Sequence, residues 1–368
     1  MEPCADANRR RRIRRKLLTW YDRHKRDLPW RRTHDPYAIW LSEAMLQQTQ
    51  VATVIPYYER FLCRFLTVRD LAGADLDLVL QMWAGLGYYA RARNLHRAAR
   101  AVVADFDGRF PHTVEGLMRL PGVGRYTAGA IASVAFGVRA AIVDGNVARV
   151  WSRIFDIASD VREGAGKEAV WRIAEQLVPR VRPGDFNQAV MELGATCCVP
   201  GAGAQCDACP LRTECDALAA GTVAERPVKG RKTRVMPETH VVAAIEHCGS
   251  WLFVQRPADG LWGALWEMPT VVLNSGTVET AAADLAKRRV GTPCHVEARP
   301  FCKFQHQLTH RTILFVGHRC RATRTLLKRS TPENARWLAL DAADSLGMSK
   351  AMRNVIAALR ESKDQAAS

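Results

Sequence analysis

Up to about residue 218 the apolar positions of the chain recur at helical spacing; beyond about residue 238 they run in short, strand-like blocks. In the first part the pattern predicts a short helix followed by a turn within 13–34, a helix over 36–61 that ends or kinks at Pro56, and two helical pieces over 71–108. Further helices are predicted over 127–135, 147–155, 167–180 and 185–196, with little strand signal between them. The second part predicts strands at 240–245, 251–255, 313–316 and 335–340, and helices near 279–290 and 349–361. Between the two parts, AAGTVAERPVKGRKTRVMP (219–237) is basic and contains Pro and Gly, which reads as a linker. The expected architecture is multidomain: an all-α domain over 1–218, a linker over 219–237 and an α+β domain over 238–368.

Several positions break the pattern in a way that suggests chemistry. Leu120-Pro121-Gly122-Val123-Gly124 opens a small-residue helix, so the segment reads as helix, glycine hairpin, helix. Gly122 and Gly124 permit positive φ and close backbone approach, and the amides that follow suit a phosphate. About twenty residues on, Asp144-Gly145-Asn146 enters the next helix, and an aspartate there is also an ordinary N-cap. On the helix beginning at Pro36, Glu43 shares a face with Ile39, Trp40 and Leu46, and a carboxyl among apolar neighbours keeps its proton toward neutral pH. Gln47, Gln48 and Gln50 follow, with uncharged amides able to bond base edges or wedge into a duplex. The turn Arg26-Asp27-Leu28-Pro29-Trp30-Arg31-Arg32 sets three arginines around a tryptophan, suited to base stacking and phosphate contact. Trp83-Ala84-Gly85-Leu86-Gly87-Tyr88-Tyr89 makes a turn that presents an aromatic ring, followed by Arg91 and Arg93.

Composition narrows the partner. The 368 residues carry a formal charge of +16 and a pI near 9.7, which favours a polyanion such as nucleic acid. No apolar run reaches membrane-spanning length, and the basic start MEPCADANRRRRIRRK lacks the apolar run of a secretory signal; it reads as a solvated tail adding non-specific DNA affinity. Eleven cysteines without an export signal indicate a reducing compartment and ligation rather than disulfides. Cys198, Cys206, Cys209 and Cys215 are spaced C-x7-C-x2-C-x5-C, which needs one metal centre, zinc or a [4Fe–4S] cluster.

Together these motifs resemble the helix–hairpin–helix DNA glycosylases with an iron–sulfur loop, and from Arg26 to about Leu346 the chain is similar to the MutY family of adenine glycosylases. The most specific matches are LSEAMLQQTQV (41–51), WAGLGYYARARNLH (83–96), LPGVGRYTAGAI (120–131), VDGNV (143–147), FNQAVMELGA (186–195) and the cysteine loop. The resemblance implies a [4Fe–4S] cluster on the loop 198–215 and a Nudix-like second domain that recognises 8-oxoguanine. It implies that Glu43 protonates adenine and Asp144 stabilises the sugar cation, with Tyr126 and Asn146 supporting them. Arg31 and Gln188 then match adenine-pocket positions, Gln48 and Tyr88 side chains that intrude at the lesion pair, and Thr309 and His310 the lesion reader.

Adenine departs poorly as an anion, so the N-glycosidic bond breaks once the ring is protonated and the nucleotide is flipped from the stack. The implied partner is duplex DNA with an A:8-oxoG or A:G mispair, bound by a monomer on the nucleoid in a bacterial cytoplasm. Bifunctional relatives of the endonuclease III kind carry lysine at the position of Tyr126, so tyrosine implies a monofunctional enzyme; Ala148 points the same way. The chain departs from the family in three places. Its first cysteine spacing is one residue longer, so Cys197 competes with Cys198 as first ligand. Leu308-Thr309-His310 stands for Phe-Ser-His, and Arg288 and Arg289 occupy positions where a Nudix hydrolase holds its metal-binding acids, so the second domain is expected to bind rather than hydrolyse. Two other readings use the same residues: an endonuclease III-like pyrimidine glycosylase/lyase, or a non-catalytic iron–sulfur DNA-binding protein in which Glu43 and Asp144 are structural.

Overall fold

The computed structural model describes residues 6–228, 235–308, 310–322 and 334–367. The chain packs as two units, residues 1–73 with 94–231 and residues 74–93 with 232–368. The segment 74–93, which the sequence leaves inside the helical part, belongs to the second unit through Asp77: its carboxylate accepts from the Gln255 amide at 3.1 Å and the Trp266 indole at 3.2 Å.

The first unit is all-helical. Helix α1 (Ala7–His24) is followed by α2 (Pro36–Leu46), α3 (Val51–Arg64) and α4 (Val68–Gly73). After α5 (Leu76–Trp83) of the second unit and α6 (Ala90–Phe106) come α7 (Val114–Met118), α8 (Arg125–Phe136), α9 (Gly145–Ile154), α10 (Gly164–Leu177), α11 (Pro183–Thr196) and the short α12 (Asp216–Ala219). A core of Ile13, Leu17, Tyr21, Val150, Trp151, Ile154, Val170, Phe186 and Leu193 joins α1, α9, α10 and α11. Helix α11 lies close on α9 because Gly194 has no side chain; a Cβ there would stand 2.7 Å from Cβ of Asn146.

Two expectations are corrected in this unit. From Ala7 onward the basic start is not a solvated tail. It is the first turns of α1, because Ile13, Leu17 and Tyr21 recur every four residues and bury one stripe. Nor is 36–61 one helix bent at Pro56: Pro56 lies within α3, and the break falls at Gln47–Gln50, where Gln48 adopts φ 58°.

In the second unit a mixed sheet is built on β1 (Met236–His247), β2 (Ser250–Gln255) and β7 (Arg311–Ala322). Strand β1 runs parallel to β7, with Val241 opposite Val316, and antiparallel to β2. The sequence pattern missed the short strands β3 (Trp266–Glu267), β4 (Thr270–Val272) and β5 (Cys294–Val296), and also β6 (Cys302–Gln307); β8 (Ala335–Leu338) completes the sheet. These elements are too brief or too polar to show a period. Alternation along β1 sends Val241, Ala243 and Ile245 to one face, against Ala282, Leu285 and Ala286 of α13 (Val278–Val290). Val242 and Ala244 face the other way, into a core shared with Met352, Val355 and Leu359 of α14 (Lys350–Ala367). A helix on each face of a mixed sheet is the α+β layer arrangement expected.

Candidate active site

Glu43 sits on α2, whose residues from Tyr37 to Met45 are all buried, so the helix is the centre of the first unit rather than a one-sided surface helix. The carboxyl opens into a cleft of about 550 Å³ lined also by Trp30, Arg31, Gln48, Tyr126, Asp144, Asn146 and Gln188. Tyr126, in the first turn of α8, donates its hydroxyl to Oε2 of Glu43 at 2.7 Å. Burial pushes the Glu43 carboxyl up to about 7; the Tyr126 hydrogen bond and the Arg31 charge oppose the shift, and the Asp144 charge adds to it. Burial, then the charges of Glu43 and Asp144, drives the Tyr126 phenol well above its usual range, so it acts as a fixed donor.

Asp144 is the N-cap of α9. Its Oδ1 accepts from the Val147 amide at 2.7 Å and its Oδ2 from the Asn146 side-chain amide at 3.1 Å. Burial raises its carboxyl, while those hydrogen bonds and the Arg149 charge favour the anion. Two carboxyls thus share one cleft, both raised by burial; Asp144 differs in having its anion met by two fixed N–H donors.

The arginines of the 26–32 turn are not free for phosphates. Arg26 bonds Glu192 through Nε at 2.7 Å and Nη2 at 2.8 Å, and Arg31 reaches the same carboxylate at 2.8 Å. Burial would raise Glu192, but the bonds from Arg26 and Arg31 outweigh it and hold the acid near 2. Arg32 pairs with Asp27. Trp30 is buried edge-on to Tyr58.

Hairpin Leu120–Gly124 divides its two glycines by task. Gly122 takes φ 76°, and a Cβ on it would meet the Asn94 side chain at 2.5 Å. Gly124 has ordinary φ and N-caps α8, with nothing within 4 Å of where a Cβ would stand, so the helix end is open to an anion. Gln48 and Tyr88, each in its own unit, are exposed non-glycine residues at positive φ (58° and 47°), a conformation that bulky residues adopt at a local cost and that is concentrated at functional sites.

Tyr88 lies with Leu308, His310, Trp262, His306 and Lys350 around a cleft of about 500 Å³ within the second unit. Thr309 lies outside the described residues. The arginines after Tyr88 prove to be pins rather than duplex contacts: Arg91 donates to the carbonyls of Leu86 and Gly87, and Arg93 to that of Gly263 at 2.6 Å.

Cys198, Cys206, Cys209 and Cys215, together with Cys197, line one small, mostly apolar cavity with Val150, Ile154 and Leu193. Helix α9 holds this loop: Arg149 donates to the Cys198 carbonyl at 2.7 Å, and Arg153 donates to the Val199 carbonyl at 2.9 Å and to Sγ of Cys198 at 3.3 Å. Cys197 Sγ donates to the Gln205 carbonyl at 3.3 Å. Among the described residues, no group of three or more His, Cys, Asp or Glu side chains stands in metal-holding geometry.

Family comparisons meet this geometry at both units. Residues 41–180 match the model of the HhH-GPD superfamily of base excision DNA repair proteins, and residues 240–358 match a NUDIX domain. Human adenine DNA glycosylase is 38% identical over 399 residues, spanning 93% of this chain and 73% of that protein. The chain belongs to the adenine DNA glycosylase family. The Buchnera aphidicola (strain Bp) adenine DNA glycosylase is 32% identical, over 81% of this chain and 82% of its own length. The rat member is 42% identical over 71% of this chain and 60% of its length. The chain is also similar to a thermostable thymine-DNA glycosylase, at 31% identity and TM-score 0.53 over 58% of this chain and 98% of that one. By family the chain is a base-excision DNA N-glycosylase, and among its described residues no helix is long and apolar enough to cross a membrane.

Some residues of this adenine glycosylase family member were not foreseen. Glu192 was hidden as an ordinary helix glutamate, although it stands four residues after Gln188 and so on the same face of α11. Arg149 and Arg153 carried a similar signal: two cations at i and i+4 in a helix whose described residues from Val147 to Ile154 are all buried.

Proposed function

We propose that this chain removes adenine mispaired with 8-oxoguanine, or with G, from duplex DNA, as a monofunctional glycosylase. The observation that carries the reading is Glu43: buried, held at 2.7 Å by the Tyr126 hydroxyl, and raised to about 7 beside Asp144. An acid of that strength retains its proton near neutral pH and delivers it to the flipped adenine. Departure of the neutral base leaves an oxocarbenium-like sugar, which the Asp144 anion stabilises before water adds. The Val147 N–H and the Asn146 amide favour the ionised form of that carboxylate against the upward pull of burial, and aim it. Arg31 and Gln188 contact the base, Gly122 and Gly124 admit a backbone phosphate, and Gln48 and Tyr88 enter the stack at the mispair. His310, with Thr309, reads the oxidised base. Tyr126 offers no amine for a Schiff base, so strand cleavage does not accompany base release.

The cysteine loop fits a four-thiolate [4Fe–4S] centre, since Cys198, Cys206, Cys209 and Cys215 converge on one apolar cavity with the Arg153 cation against Cys198. When bound, such a cluster cross-links the loop and supplies a delocalised charge. Cys198, with the Arg153 cation against its sulfur, would be its first ligand, while Cys197 bonds the Gln205 carbonyl and Cys209 beside the set. Glu43→Gln tests the acid: adenine release in a single turnover is expected to fall by at least about a hundredfold with DNA binding retained. An unchanged rate would remove Glu43 from the chemistry.

A further inference from the structure

The Tyr21 side chain is buried in the helical core, yet its hydroxyl reaches a residue that lines the cleft, donating to Oε1 of Gln188 at 3.1 Å. This is its one hydrogen-bond partner among the described residues. Burial pushes the phenol up to about 12, so the hydroxyl stays a donor across the working range of pH. Arg31 stacks its guanidinium over the same ring at 5.5 Å and, like Gln188, lines the cleft.

A primary amide has an accepting end and a donating end, and turning it over exchanges the two. With Oε1 engaged by Tyr21, the –NH2 is the end left to face a base. Adenine offers N1, N3 and N7 as acceptors and has no ring N–H on the six-membered ring, whereas guanine and hypoxanthine carry hydrogen on N1. An amide free to turn would accept from that N1–H as readily as it donates to adenine. Resting on the adenine-excision reading, we propose that Tyr21 is a positioning residue for base specificity: its hydroxyl locks the Gln188 amide donor-end toward the base, selecting a purine whose N1 is an acceptor against one bearing N1–H.

The test uses the full chain in single turnover on duplexes with adenine or hypoxanthine opposite 8-oxoguanine. The proteins are wild type, Tyr21→Phe, Gln188→Ala and the double variant. Phenylalanine keeps the buried ring and removes only the hydroxyl. Tyr21→Phe is expected to lower the adenine-to-hypoxanthine rate ratio by about tenfold, the upper scale of one net intramolecular hydrogen bond. The pH midpoint of adenine release is expected to stay in place, because Glu43 is untouched. In the Gln188→Ala background the tyrosine change is expected to have no further effect on the ratio. An unchanged ratio in Tyr21→Phe with adenine release intact would overturn the proposal, and so would an equal loss with or without Gln188, since Tyr21 would then act through packing alone. Wild-type protein that releases neither base would instead overturn the adenine-excision reading on which the proposal stands.

Discussion

At the scale of single residues, Glu43 is the position where the reasoning from sequence and the structure meet. Apolar neighbours on a helix were enough to predict a raised acid, and burial beside Asp144 lifts it to about 7. Adenine release should therefore be level below about pH 7 and decline above it as the proton is lost, which a single-turnover rate–pH profile checks. The same shift costs stability. Below pH 4.5 Glu43 is protonated whether folded or unfolded; between 4.5 and about 7 only the folded form keeps the proton; above about 7 the burial penalty is complete. Glu43→Gln should thus become more stable relative to wild type as pH rises from 5 to 8, by on the order of 3 kcal/mol. A pH-independent difference in urea midpoints would contradict the raised acid. What the sequence did not disclose is how charges would be spent. Arg26, Arg31, Arg91 and Arg93 look like phosphate contacts in one dimension and are occupied by Glu192 or by carbonyls in three.

Elements explain why. Helix α1 was legible only in its apolar half, because a run of arginines masks a period that Ile13, Leu17 and Tyr21 carry alone. Its cations are used inside the unit: Arg12 and Lys16 both bond Oε1 of Glu214 at 3.0 Å, and Arg9 donates to the Glu214 carbonyl at 2.7 Å. Glu214 directly precedes Cys215, so the first helix fastens the end of the cysteine loop. Burial tends to raise this carboxyl, and Arg12 and Lys16 hold it below the usual range. Glu214→Ala is expected to cost roughly 1–3 kcal/mol by leaving two cations without their shared acceptor. Limited proteolysis should then cut the loop near 198–215 faster than in wild type, and equal cleavage rates would mean that α1 does not secure the loop. Helix α9 acts at both ends of the chemistry, with Asp144 at its N-cap and Arg149 and Arg153 gripping the cysteine loop. Its hydrophobic character was readable; its N-cap also read as an ordinary cap, and only the cleft distinguishes the two uses.

For the whole molecule, the split between helical and strand-rich parts was readable from periodicity, as was the polyanion partner from a charge of +16. The assignment of 74–93 to the second unit was not, because it depends on Asp77 meeting Gln255 and Trp266, far away in sequence. The central claim concerns the whole chain: a protonated glutamate expels adenine, and no lysine stands at 126 to cut the strand. The most direct measurement is single-turnover reaction of a duplex bearing one 8-oxoG:A pair, analysed with and without alkali. Strand breaks at the adenine site are expected only after alkali treatment. Breaks without alkali would show that an amine elsewhere in the chain acts as nucleophile, and no breaks under either condition would contradict adenine excision itself.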